Sequence, residues 1–256
     1  MTVYSDSTAT RNRQARNREA WNHGVWFAPP ADRANHPRVR EALELVDQSQ
    51  IELHPFFEVA ARSREVLKVW VSQELIVTGP FTQHLLRLAA RIDNVHLRAM
   101  VAEVAYGEHN KLKGATAERS HPWLLDRLRA SVGLAPTEIE VLPETRVFLD
   151  ELAEQCAGSM LRAVGALGVG NERLLVPEYS AVRRAFEKVW PDCEFEDFLD
   201  ANIDEDRYHS ALMARVGTGF IGDGGDPEDF FDGARAAIES RLRYYDALCA
   251  RCPVNA

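Results

Sequence analysis

Apolar positions along the chain repeat every three to four residues over most of its length. Runs of alternating β-branched residues are nearly absent. Val66, Val69/Trp70, Gln73 and Val77 keep a period near 3.6, and so do Phe81, Leu85, Leu88 and Ile92 after a Gly79-Pro80 pair. That pattern predicts two helices separated by a break at the glycine–proline pair. Val101, Val104, Glu108 and Leu112 continue the period in a third helix ending near Gly114. Ser120-His121-Pro122 opens a fourth, with proline in the first turn where its missing N–H costs little, and Gly133 ends it. Pro143 opens a long helix running to about Leu167, whose second half is rich in small residues that let another backbone approach. Further helices are expected from Glu178 to Trp190, from about Glu194 to Val216, and from the Asp226-Pro227-Glu228 cap to about Ala250. Seven or more helices with short connections imply an all-α fold, a single helical bundle. Residues 1–35 are polar, carry Pro29-Pro30 and read as an extended lead-in; residues 36–256 read as the helical domain.

Composition narrows the function. Of 256 residues, 46% are hydrophobic and 27% charged, as in an ordinary globular protein. A net charge of −9 argues against nucleic acid as the main partner, since neutralising phosphates needs clustered Lys and Arg. The basic stretch from Arg11 to Arg18 is short, lacks an apolar face and reads as a frayed tail. No segment approaches the ~18 apolar residues of a membrane span, and no charged-then-apolar start marks a secretory signal, so a cytoplasmic protein is expected. The four cysteines, including the lone Cys249/Cys252 pair, read as reduced thiols.

Polar residues on apolar faces carry the candidate chemistry. In the segment 195–213, Phe195, Phe198 and Leu199 set an apolar face. Steps of three and four along that face meet Asn202, Asp206, His209 and then Met213. A buried aspartate is rarely tolerated unless paired, hydrogen-bonded or metal-bound. Asp and His one turn apart can ligate one ion or two adjacent ions. The plainer alternative is a slightly rotated helix with Asp206 in the solvated acidic run 204–206. Glu108 shares a face with Val101, Val104 and Leu112, whereas Glu103 and His109 point elsewhere. His121 stands at a helix start, where it could equally cap, and Glu172 closes the small-residue helix.

In this order, Glu108, His121 in a His-Pro-Trp-Leu-Leu context, Glu172 ahead of Pro177-Glu178-Tyr179, and Asn202-x-x-x-Asp206-x-x-His209 resemble the heme-oxygenase-like diiron oxidases, relatives of the TenA and PqqC folds. The resemblance spans roughly residues 36–215 and includes His54-Pro55-Phe56, the stretch from Gln73 to Phe81, and Arg98. It implies a heme-oxygenase-like bundle holding Fe(II), two ions, on Glu108, His121, Glu172, Asp206 and His209. It also implies O2-dependent oxidation of a small biosynthetic metabolite such as an amino acid, amine or fatty acid. One departure matters: Asn202 stands where the family carries a histidine. Asn offers a neutral carbonyl oxygen, a weaker ligand for Fe(II) than imidazole. One seat is then sound, and the other is weak, filled only with substrate or O2, or empty. The gap from Glu108 to His121 is also longer than usual, which leaves Glu103 or Glu118 as substitutes for Glu108. A metal-free TenA/PqqC-like enzyme and a non-catalytic ligand-binding relative are the alternatives. A bundle of this size often forms homodimers, but no seam in the sequence marks an interface.

Overall fold

Helices make up the main regular structure of the computed structural model, which describes residues 35–109 and 119–252; no strand occurs among these. The lead-in before residue 35, with its basic stretch, and Glu118 lie outside the described residues. In chain order the helices are α1 (Pro37–Ser49), α2 (Pro55–Ala60), α3 (Arg64–Arg91), α4 (Val95–Gly107), α5 (His121–Ser131), α6 (Pro143–Ala157), α7 (Met160–Leu167), α8 (Leu174–Val189), α9 (Glu196–Gly222) and α10 (Pro227–Arg251). A π-helical segment, Gly168–Arg173, joins α7 directly to α8.

Local chemistry starts most of these helices. The side chains of Ser63, Asn94, Ser120, Ser159 and Asp226 accept hydrogen bonds from backbone N–H groups of the first turns of α3, α4, α5, α7 and α10. His54 does the same for α2, accepting from Phe56 N at Nδ1.

Four expectations need correction. Helix α4 does not run on toward Gly114 but ends at Gly107, with Glu108 as its C-cap; Leu112 and Gly114 lie outside the described residues. The Gly79-Pro80 pair does not break the helix: α3 runs through it for 28 residues. Proline costs a helix interior about 3 kcal/mol, but Val77, Thr82 and Leu85 are buried on either side of it, and that packing outweighs the loss. The long helix predicted from Pro143 to Leu167 is two helices, because Gly158 and Ser159 are extended and Ser159 caps a new start. Finally, α8 begins at Leu174, so Pro177 lies in its opening turn. There its missing N–H falls where hydrogen bonding changes from π to α spacing.

Helices α9 and α10 are the spine. The face of α10 meets α7, α1 and α6, while α9 packs on the π segment, α8, α4, α7 and α5. The α7–α10 approach is close enough that a Cβ on Gly165 would lie 2.0 Å from the Phe230 carbonyl oxygen, so only glycine fits. Gln73, on the buried face of α3, ties the start of α6 in place. Its carbonyl accepts from Leu142 N and the Thr145 hydroxyl, and its amide donates to the Glu140 carbonyl. The four cysteines carry free thiols.

Candidate metal centre

The predicted apolar face of α9 is inward along its whole length: Phe198, Leu199, Asn202, Asp206, His209 and Met213 are all buried. Glu108, the C-cap of α4, His121, the first residue of α5, and Glu172 in the π segment are buried with them. The structure therefore brings together all six residues singled out above. One ligating atom from each of Glu108, Glu172, Asp206 and His209 lies within 4.8 Å of the others. His121 joins through Glu108, its Nδ1 standing 3.0 Å from Glu108 Oε2. The other oxygen of Glu108, Oε1, is 3.5 Å from His209 Nδ1. Glu172 Oε2 lies 3.2 Å from the same nitrogen. One carboxylate thus stands between two imidazoles, each presenting Nδ1.

Each element contributes for a reason. The π segment widens the turn so that Glu172 faces α9, a device common at functional sites. The His121 N–H donates to the Glu108 carbonyl at 3.1 Å, so the chain leaves α4 and returns at α5 with both side chains on one spot. The longer gap between them therefore does not displace Glu108. Glu103 is exposed and accepts a hydrogen bond from the Tyr208 hydroxyl. His109 is at the surface and bonds the Ala105 carbonyl. His121 does not cap its helix; Ser120 does. Asn202 donates its amide to the Phe198 carbonyl at 2.7 Å.

Electrostatics ask for a cation here. Burial pushes the Glu172 carboxyl well above its ordinary range, and the Glu108 charge adds to this. Asp206 is raised in the same way by burial, then by Glu172 and Glu108. Burial also pushes Glu108 up, but the facing His121 outweighs it and holds Glu108 low. His121, despite burial, is pushed up to about 9, chiefly by Glu108. Glu172 Oε1 and Asp206 Oδ2 are buried without a hydrogen-bond partner, which a native fold rarely accepts unless another group satisfies them. Carboxylate and imidazole donors with orphaned buried oxygens fit a divalent first-row metal.

A small cavity of about 20 Å³, room for little more than one water, touches this cluster through Glu108, Asn202 and Asp206. Its lining also includes the apolar Val77, Phe81 and Leu175, and the polar Glu74, Tyr179 and Arg241. The last three belong to a buried network that sequence reasoning missed. Arg241 Nε donates to Glu178 at 2.9 Å and Nη2 to Glu74 at 3.2 Å. Tyr179 donates to Glu74, Tyr245 to Glu178, and Trp70 to the Tyr245 hydroxyl. The available signal was an arginine on the apolar face of α10, level with Ala237, Tyr244, Tyr245 and Leu248.

The family model of an iron-containing redox enzyme matches residues 68–242, a span that contains every residue of the cluster together with Glu74, Glu178 and Arg241. The chain belongs to this family. With its heme-oxygenase-like fold, the chain is similar in structure to two kinds of solved protein. A CADD-like protein of unknown function from Nostoc punctiforme has a TM-score of 0.65 at 18% identity, covering 84% of this chain and 98% of its own. A TenA homologue from Pseudomonas syringae pv. tomato has a TM-score of 0.64 at 12% identity, covering 84% and 91%. These likenesses establish the helical architecture. No curated protein matches the chain. No helix among the described residues is long and apolar enough to cross a membrane.

Proposed function

We propose that this protein is a non-heme iron oxidase that uses O2 to oxidise a small metabolite, with two Fe(II) seats of unequal strength sharing Glu108. The observation that carries this reading is the placement of Glu108, one oxygen toward His209 and the other toward His121. Glu172, Asp206 and His209 would complete the stronger seat. His121 would hold the weaker one, with Asn202 supplying at best a neutral oxygen in place of an imidazole. Iron bound here would supply reduction of O2 and redox chemistry that no side chain of the chain provides.

The protein's own groups set the conditions. Glu172 and Asp206 surrender their carboxyl protons when a cation arrives, as metal sites do. Phe198, Leu199 and Met213 keep bulk water from the cluster, which tunes a metal and protects reactive species.

Anaerobic loading with Fe(II), counting ions per chain in the wild type, Glu108→Ala and His209→Ala, tests the reading. One ion bound tightly and a second only at excess iron, with the count falling in both variants, is the expected result. A wild type that binds no specific iron and matches both variants would sink the reading and favour a metal-free enzyme using the same cavity, for which Asn202 is the supporting departure.

A further inference from the structure

Glu205 precedes Asp206 on α9 and stands on the opposite side of the two imidazoles from the carboxylate cluster. Its Oε2 lies 3.6 Å from His121 Nε2 and 3.9 Å from His209 Nε2. That oxygen is buried and has no hydrogen-bond partner, although the side chain as a whole is 27% exposed. Both rings turn Nδ1 the other way, toward Glu108 and Glu172. Gly107 closes a further side of this space. A Cβ there would lie 2.3 Å from His209 Nε2 and 3.4 Å from Glu205 Oε2, so α4 comes down on this edge as only glycine allows. An orphaned carboxylate oxygen is thus enclosed behind two rings that come from different helices.

We propose that Glu205 is the positioning carboxylate for both imidazoles, accepting the Nε2–H of His121 and His209 so that each Nδ1 stays deprotonated and aimed at the metal. The proposal rests on the metal-binding reading above. A neutral imidazole carries one proton, and the partner of one ring nitrogen decides whether the other is a free donor. Carboxylates behind metal-bound histidines serve this purpose widely, and losing one typically weakens metal binding 10- to 100-fold. The separations exceed a hydrogen bond by several tenths of an ångström, and the partly exposed Glu205 side chain has the freedom to close on either ring. Because Asn202 contributes no imidazole, His121 and His209 are the nitrogen donors gathered at the cluster among the described residues. One shared acceptor fixes the orientation of both. Glu205 is not among the ligand positions of the resemblance, and in the sequence it looks like part of a solvated acidic run.

The test uses Zn(II) as a diamagnetic probe, with affinity from chelator competition, ion count at saturation, and imidazole 1H–15N signals. Wild type should show protected Nε2–H protons on both histidines. Glu205→Ala should weaken binding roughly 10- to 100-fold, keep the saturated count, and lose that protection. Glu205→Gln retains an oxygen acceptor and should recover most of the affinity. Unchanged affinity and protection in the alanine variant would overturn the proposal. A saturated count lower by one ion would overturn it too, making Glu205 a ligand. If the alanine variant fails to fold, the glutamine variant decides: near-native affinity with both protected protons supports the role, and a tenfold loss rejects it. A wild type that binds no Zn(II) would instead overturn the metal-binding reading itself, and the role of Glu205 with it.

Discussion

In the proposed two-iron reading, Asn202 is the residue on which the metal stoichiometry turns. It is buried on the ligand face of α9, lines the cavity, and spends its amide on the Phe198 carbonyl. Replacing it with histidine restores an imidazole at that step of the helix. Asn202→His is expected to tighten the second Fe(II) without changing the first, read as the shape of an anaerobic iron titration. Titration of the cluster also sets a pH dependence. Burial opposes the charge on His121, yet Glu108 pushes it up to about 9, against about 6.5 in the unfolded chain. Its contribution to stability is therefore complete below about 6.5 and lost as pH rises through about 9. Glu172, raised by burial and by the Glu108 charge, and Asp206, raised by burial and by Glu172 and Glu108, act with the same sign, because folding favours their protonated forms. Glu108 is ionised in both states over this window and adds no slope. The metal-free protein should melt at progressively lower temperature from pH 6.5 to 9, and bound metal should flatten or reverse that trend, measured by thermal denaturation with and without chelator.

At the scale of elements, the π segment and the α4–α5 junction aim the ligands. A π turn carries one residue more than the α-helix around it. Deleting Gly170 should return 160–189 to plain α spacing, rotate Glu172 by about 100° off the cluster, and abolish tight metal binding while far-ultraviolet circular dichroism keeps its helical form. At α4, Gly107→Ala would drive a methyl group into the His209 ring. Overpacking of this kind costs about 1–3 kcal/mol, and here it should also weaken metal binding, because the displaced side chain is a proposed ligand. The cap and proline signals that start the helices were legible in sequence. The π segment was not, because periodicity over six residues cannot tell a widened turn from a helix end. Glu172 accordingly read as a terminal residue when it lies inside a continuous rod.

Across the whole molecule, the Arg241 network joins α3, α8 and α10 beside the cavity. Its guanidinium is fully buried between Glu74 and Glu178. Removing one partner of such an arrangement leaves charge uncompensated and typically costs about 3–5 kcal/mol. Arg241→Met should therefore lower the melting temperature sharply, and Arg241→Met combined with Glu74→Gln and Glu178→Gln should recover much of the loss in the same measurement. In the sequence only Arg241 stood out, as a charge on an apolar face, and nothing there paired it with Glu74 or Glu178. Only the meeting of three helices shows that these three face one another.

The division between sequence and tertiary structure has a physical basis. Period, caps and turn residues act over a few neighbours, so the all-α class, the starts of α5, α6, α9 and α10, and the alignment of Asn202, Asp206 and His209 on one stripe of α9 were determined by the sequence itself. Glu108, His121 and Glu172 could be nominated, since a polar residue on an apolar face is a local anomaly. Whether their side chains meet depends on distances between helices, which no local pattern encodes. Packing decided that α3 passes through Pro80, that Glu108 stands between two imidazoles, and that Glu205 lies behind them instead of in solvent. Those outcomes come from burial summed over many contacts, and that sum exists only once the chain has folded.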